Sequence, residues 1–394
     1  MIRRLALRGI LSFRDATLEL GPLNVLIGPN ACGKSNLIEV MGLLQAVPTD
    51  LAAAIGRGGG VAEWLWKGEG TTAAEGIIDI VLENPHMPQM PLRYFLAVAE
   101  LGRQLTVVEE RLENELPFGG QTNPYLFFEV RHGRGVVNLR IDEGQDRRRR
   151  ELRPDELTPG QSVLHERRDP DLYPEITFLG KRFDAIRLYR EWNLGRDTPP
   201  RRPQGTDLPS DFLLEDASNL PLVLNHMERD GSLGAVEKEL ERFYDQFGKI
   251  SFQILPLAAQ LFVREKALQG LIPATRLSDG TLRYLCLLAV LCHPNPPPLI
   301  CIEEPELGLH PDILPRVAEL LREASARGQV IVTTHSDRLV DEFSDEPDSV
   351  VVCERGSDGQ TEFARLSKER LGRWLEKYRL GELWLKGEVG GTRW

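Results

Sequence analysis

The chain has no excess of positive charge, no paired cysteine spacing and no long apolar run. Lysine and arginine number 48 against 59 aspartates and glutamates, a formal charge of −11. A uniformly basic nucleic-acid-coating protein is therefore excluded, and only a local basic patch could serve that purpose. The five cysteines, at 32, 286, 292, 301 and 353, are odd in number and without C-x-x-C spacing. Neither a disulfide framework nor a zinc site is indicated, and a reducing cytoplasm is the expected location. No stretch approaches the roughly 20 apolar residues of a membrane span, and Met1 to Arg8 lacks the apolar core of a signal peptide. Membrane insertion and secretion are not expected. There is also no internal repeat.

What is there is a globular composition: 394 residues, 41% hydrophobic and 27% charged. At roughly 150 residues per domain this predicts two to three domains or one large elaborated one. Residues 2–7 and 16–20 read as strands, followed by the apolar run Leu23 to Ile27, a glycine-rich turn, and helical spacing at Leu37, Ile38, Met41 and Leu44. Alternating, turn-bounded segments at 77–82, 92–99, 104–112, 125–130 and 135–141 predict an antiparallel sheet. A helix is expected at 232–247, with Leu233, Val236, Leu240, Phe243 and Phe247 on a core face and Gly248 as its stop. A hairpin at 250–264 leads into helix 281–292, strand 299–302, helix 312–326 and strands 329–334 and 349–353, the alternation of an α/β sheet.

Fourteen prolines between Pro85 and Pro221 forbid a long coiled coil in the middle of the chain, since each removes a helix donor and clashes with the preceding turn. Residues 195–211 read as an extended surface loop. The region from Arg131 to Arg202 carries a net +4, which leaves −15 for the rest. Its densest run, Arg147 to Arg150, reads as a solvated loop, with DNA contact as the competing role.

Gly28-Pro29-Asn30-Ala31-Cys32-Gly33-Lys34-Ser35 matches G-x-x-x-x-G-K-S between an apolar strand and a helix, the setting that a phosphate loop requires. Its glycines let backbone N–H groups face phosphate, the helix N-terminus adds partial positive charge, Lys34 reaches the β and γ phosphates, and Ser35 can ligate magnesium. Cys32 reads as a tolerated small residue, with a redox-sensitive thiol as the alternative. Leu299 to Ile302 is an apolar strand ending in Glu303 and Glu304, where one carboxylate can hold a metal and the next can polarise water. Val330 to Thr334 is another buried strand with a polar tip, His335, either a donor to the γ phosphate or a structural histidine. Leu277-Ser278-Asp279-Gly280-Thr281 precedes a helix and reads either as a second anion-binding end or as a simple N-cap.

Taken in order, G-P-N-A-C-G-K-S at 28–35, L-S-D-G-T at 277–281, E-E-P-E at 303–306 followed by Gly308-Leu309-His310-Pro311, and T-T-H-S at 333–336 resemble the ABC-type ATPase heads of the RecF, SMC and OLD group. The closer resemblance is to short stand-alone bacterial AAA-family ATPases. It implies an α/β P-loop NTPase with a mixed sheet, a flanking antiparallel β-subdomain and a compact helical insertion. The boundaries expected are an N-terminal ATPase lobe at 1–149, the helical insertion or lid at 150–248, and a C-terminal ATPase lobe at 249–394. The resemblance further implies ATP and Mg²⁺ as cofactors. The nucleotide would be bound by Gly28, Asn30, Ala31, Cys32, Gly33, Lys34, Ser35 and Asn36, and by Ser278 and Gly280 acting as the signature. The metal would be held by Ser35 and Glu303; catalysis would fall to Glu304 as base with Lys34 and the switch residue His335. Leu307 to His310 would form the D-loop, and Gln145 and Gln161 are the candidates for the Q-loop. Glu303 stands where the group usually has aspartate, and L-S-D-G-T departs from the transporter signature.

In this group the signature meets nucleotide held by the opposite subunit, so the resemblance implies a homodimer that sandwiches two ATP molecules. The 59 residues after His335 are too few for a nuclease domain of the OLD kind. Two outputs stay open. One is an ATPase that acts on DNA or on a separately encoded effector, in genome maintenance or phage defence. The other is a slow nucleotide-gated binding module.

Overall fold

The computed structural model describes residues 1–68, 71–72, 74–85, 87–140 and 147–391. The chain forms two compact units. The first comprises Met1–Ile186, Asp348–Leu366 and Val389–Trp394, and the second Arg187–Pro347 and Ser367–Glu388. Residues 150–186 thus pack with the N-terminal sheet, whereas 187–248 pack with the C-terminal strands.

In the first unit an eight-stranded antiparallel sheet runs in the spatial order Arg147–Leu152, Arg134–Arg140, Leu126–Arg131, Gln104–Asn114, Leu92–Leu101, Glu75–Leu82, Ile2–Ile10, Phe13–Glu19. The pairs Ile2–Ile10 with Phe13–Glu19, Leu92–Leu101 with Gln104–Asn114, and Leu126–Arg131 with Arg134–Arg140 are hairpins closed by two-residue turns, in keeping with the alternating, turn-bounded pattern. Leu5, Leu7, Ile10 and Phe13 are buried, and Leu5 and Leu7 keep the period-two alternation of a strand. The same unit holds a mixed sheet. Leu23–Ile27, buried at every position, runs parallel to Val350–Arg355, which pairs antiparallel with Thr361–Arg365. The helix Lys34–Ala46 follows the parallel strand, and Gln45 ties its far end to the carbonyl of Ile186 at 2.7 Å.

The second unit is built on three parallel strands, Arg187–Tyr189, Leu299–Glu303 and Gln329–Thr333, with Glu303 in register with Thr333. The apolar helix Asp279–Leu291 and the amphipathic helix Leu314–Ser325 belong to it, as does a three-stranded antiparallel sheet, Phe247–Leu255, Ala258–Glu265 and Leu271–Pro273. The helix Leu233–Phe243 is joined to Leu314–Ser325 by a largely buried pair, in which Arg316 donates to both carboxylate oxygens of Glu239 at 2.6 and 3.0 Å. A bidentate contact of this kind satisfies both charges at once.

Three local expectations are corrected. The arginine run is an edge strand and not a loop: Arg149 pairs with Asn138 and Arg150 with Val137. Arg148 and Arg149 are exposed, and Arg150 is paired with Glu156. Charge on an unpaired edge also discourages edge-to-edge association. The helix expected at 232–247 ends at Phe243, because the chain turns at Tyr244, whose carbonyl accepts from Phe247 N–H at 2.8 Å, and enters a strand. Residues 195–211 contain a 3₁₀ turn, Pro199–Arg201, and Arg201 is only 4% exposed.

Beneath the antiparallel sheet, Glu110 is fully buried and accepts from Tyr94 Oη at 2.8 Å, Ser162 Oγ at 2.6 Å and Val163 N–H at 2.8 Å. Burial outweighs these donors and pushes its carboxyl up to about 7. The folded state therefore binds a proton that the unfolded state has released, and stability falls as pH rises from the ordinary carboxylate range through about 7. Melting temperature should drop over this window in the parent. Glu110→Gln should flatten that dependence, and an unchanged slope in the variant would show that another group is responsible.

Candidate functional site

The phosphate-loop half of the site lies in the first unit. The backbone turns through left-handed values at Gly28 (φ 149°), Ala31 (φ 63°) and Gly33 (φ 109°). A Cβ on Gly28 would lie 2.2 Å from the carbonyl oxygen of Cys353, and one on Gly33 would lie 2.1 Å from Thr361 Oγ1. Both positions thus require glycine for space as well as for conformation. The Thr361 hydroxyl lies 2.7 Å from the carbonyl of Cys32 and 2.7 Å from the Ser12 hydroxyl, which fastens the loop from below.

The helix Lys34–Ala46 begins directly from Gly33 with no side-chain cap and no acidic residue in its first turn. Its leading N–H groups and partial positive charge are arranged as an anion-binding end. Lys34 Nζ is folded onto the loop, donating to the carbonyls of Gly28 at 2.7 Å and Pro29 at 3.0 Å and lying 3.7 Å from Cys32 Sγ. Asn30, Ala31 and Ser35 are exposed, Asn36 is half-buried, and Cys32 is buried.

The second unit holds the acidic half. Glu303 ends its strand, and Glu304 follows in a left-handed conformation (φ 47°), its N–H donating to the carbonyl of Thr333 at 2.9 Å. A non-glycine residue there stores local strain, and the turn brings Glu304 Oε1 to 3.8 Å from His335 Nε2. Glu306, given no role by the motif reading, holds this arrangement. Its Oε1 accepts from the Thr334 hydroxyl at 2.7 Å and from His335 N–H at 2.9 Å. Burial raises the Glu306 pKa above the ordinary carboxylate value.

In the same unit Ser278 caps the helix Asp279–Leu291, accepting from Thr281 N–H at 3.0 Å, while Ser278 and Asp279 are exposed. The cap reading of L-S-D-G-T is thus realised. A Cβ on Gly280 would lie 3.0 Å from the carbonyl of Gly308, so the turn after the acidic strand packs directly on the start of this helix. Arg201 braces the segment from behind. Its guanidinium donates to the carbonyls of Leu194 at 2.6 Å, Ala274 at 3.1 Å and Leu277 at 2.6 Å, and it pairs with Asp279. Nothing in the proline-rich sequence around Arg201 marks it for burial. Of the two Q-loop candidates, Gln145 lies outside the described residues. Gln161 is in the first unit, lining an apolar cleft of about 720 Å³ beside Glu110.

A strand, a glycine-bearing phosphate loop and a helix, and parallel strands ending in adjacent carboxylates, are the elements of the P-loop ATPase fold. The chain belongs to the family described as "AAA domain, putative AbiEii toxin, Type IV TA system", whose model matches residues 23–341. The fold is shared with solved structures of low identity. An SMC head bound to the C-terminal winged-helix domain of ScpA has a TM-score of 0.53 at 14% identity, over 94% of this chain and 99% of that one. An SMC head with an extended coiled coil, bound to the C-terminal domain of ScpA derived from Pyrococcus furiosus, has a TM-score of 0.52 at 14% identity, over 95% of this chain and 98% of that one. No curated protein matches the chain significantly in sequence. No helix among the described residues is long and apolar enough to cross a membrane.

The loop geometry generates a stability test. Gly33→Ala should lower the melting temperature by an amount equivalent to at least about 1 kcal/mol, since φ is positive and the new methyl strikes Thr361. Gly56→Ala, in the helix Leu51–Arg57 with open space around the site, should raise it slightly. Equal effects at the two positions would contradict the packing described.

Proposed function

We propose that the protein is a Mg²⁺-dependent ATPase whose nucleotide-bound form is a homodimer, and that dimerisation is the signal passed on. The observation that carries this reading is the acidic turn. Glu304 is held in a strained conformation at a strand tip, with His335 3.8 Å away and fixed through Glu306. That is the arrangement expected of a base that orients water and a histidine that senses the terminal phosphate.

The residues suit the cofactors. The uncapped helix end and the Lys34 ammonium complement phosphate. The Ser35 hydroxyl and Glu303 carboxylate are hard oxygen donors of the kind magnesium takes alongside phosphate oxygens. Bound magnesium would neutralise charge on the phosphates. Lys34 stabilises charge developing on the transferred phosphoryl group, Glu304 takes the proton of the attacking water, and Glu306 positions His335. The glycines at 28 and 33 let the backbone approach the nucleotide closely.

Support for the dimer comes from the exposed face of the second unit. Ser278 is exposed, and Leu307, in the turn that packs on Gly280, is 47% exposed. A two-fold contact through these residues would give each subunit the signature of its partner. DNA and a separately encoded effector are the proposed recipients of the signal, in genome maintenance or phage defence. Arg148 and Arg149, exposed on an edge strand, are the surface through which DNA would be met. A slow gated module would share this chemistry and differ in rate.

Glu304→Gln should cut steady-state ATP hydrolysis by about 100-fold or more while an ATP-dependent dimer accumulates in size-exclusion chromatography. Hydrolysis at the parent rate would remove Glu304 from the mechanism. Parent turnover far below about 1 per second, unaffected by duplex DNA, would favour the gated module over the motor.

A further inference from the structure

Near its C-terminal end the chain carries a helix that the molecule does not cover. Helix Lys368–Leu375 is capped by the Ser367 hydroxyl, which accepts from Arg370 N–H at 3.4 Å, and none of its eight residues is buried. The next helix, Leu380–Leu385, is firmly seated in the second unit. Leu380 and Leu383 are fully buried, Leu380 N–H donates to Ser344 Oγ at 2.9 Å, and Gly381 N–H donates to Asp341 Oδ1 at 2.7 Å. A Cβ on Gly381 would lie 2.2 Å from the carbonyl oxygen of Asp337, so this seat is closed to any larger residue. A fixed base thus presents an exposed helix.

Between Ser367 and Arg379 five cations stand against two carboxylates, a net +3 in a chain of −11. Their order on the helix is amphipathic. At about 100° per residue Leu371, Trp374 and Leu375 fall on one arc, and Tyr378 extends it, since its N–H donates to the Trp374 carbonyl at 2.9 Å. By the same spacing Lys368 flanks the arc on one side and Arg370 and Lys377 flank it on the other, while Glu369 and Glu376 lie opposite. Lys368, Arg370, Arg373, Lys377 and Arg379 are all exposed; Leu371, Leu375 and Tyr378 are half-buried. Trp374 is 46% exposed, and Leu385, in the next helix, 65%. The Trp374 and Tyr378 rings are 6.3 Å apart, and Lys386 Nζ lies 3.6 Å from the Tyr378 ring centre. That cation–π contact joins the two helices into one aromatic and basic surface.

We propose that this surface docks on an anionic phospholipid bilayer, with Trp374 and Leu385 entering the boundary between headgroups and acyl chains and the flanking cations meeting lipid phosphates. Shallow seating of this kind needs no spanning segment, and no helix among the described residues could supply one. The pattern selects lipid over nucleic acid. A nucleic acid rewards cations and stacking aromatics but gains nothing from an exposed leucine. Apolar side chains bordered by cations, with carboxylates turned to the far side, are what a charged lipid interface favours. The rest of the chain is acidic and is repelled by the same bilayer, so attachment is confined to this patch. The proposal is independent of the ATPase reading.

The full chain is mixed with vesicles of equal parts phosphatidylglycerol and phosphatidylcholine, or of phosphatidylcholine alone, and bound protein is separated by flotation. The expected result is binding to the anionic vesicles that weakens as salt rises, with about tenfold or weaker binding to the neutral ones. Trp374→Ala should weaken anionic-vesicle binding about tenfold or more. So should the combination of Arg370→Ala, Arg373→Ala and Lys377→Ala. Both variants should melt close to the parent, because the side chains removed are exposed. Leu257→Ala, which removes an apolar side chain 87% exposed in the hairpin between Phe247–Leu255 and Ala258–Glu265, should bind vesicles like the parent. A parent that stays out of the floated fraction at low salt, or that binds both vesicle types equally, would overturn the proposal, and this comparison needs no variant to fold. Leu257→Ala weakening binding as much as Trp374→Ala would overturn it too. Capture of an oligonucleotide through Trp374 and the same cations, with vesicles unbound, would overturn it in favour of nucleic acid.

Discussion

The phosphate loop has almost no freedom. The carbonyl of Cys353 occupies the space a side chain would take at Gly28, and Thr361 occupies it at Gly33. The strand pair Leu23–Ile27 and Val350–Arg355 therefore shapes the loop by steric exclusion as much as the loop's own sequence does. The free helix end at Lys34 and the outward Ser35 follow from that fit, because the backbone can enter the helix only along the path left open to it.

The acidic half is held by a different device. Its order comes from hydrogen bonds to a single half-buried carboxylate, Glu306, which reaches from the turn after one parallel strand to the tip of the next. Charge-assisted bonds of this kind fix direction as well as distance. Thr334 is fully buried and serves as the anchor, leaving the neighbouring His335 imidazole directed toward Glu304. One half is thus set by packing and the other by electrostatics.

Much of this was legible in the residues. The antiparallel strands were found within a few residues of their ends, because half-buried strands carry a period-two signal. The phosphate loop and the acidic strand were legible because their chemistry demands particular residues at fixed spacing. What escaped depends on contacts between segments far apart in sequence. Arg187–Tyr189 is too short to show a period, and Arg201 acquires its burial only when residues 274–279 fold over it. Thr361 meets both Cys32 and Ser12 across more than 300 positions, and no local pattern announces it. The arginine run reads as a loop because charge hides strand alternation when every side chain is polar. The motif E-E-P-E displayed Glu306, yet only its bonds to Thr334 and His335 show its task.

The brace at Arg201 has an energetic consequence. Surface loops that recognise partners usually lose conformational entropy when they are captured, and that loss comes directly out of the binding free energy. Here the stretch from Ala274 to Asp279 is already held at three points by a buried guanidinium, through the carbonyls of Ala274 and Leu277 and the carboxylate of Asp279. Whatever docks against Ser278 meets a pre-stiffened ledge, so the favourable energy of contact goes into affinity instead of ordering.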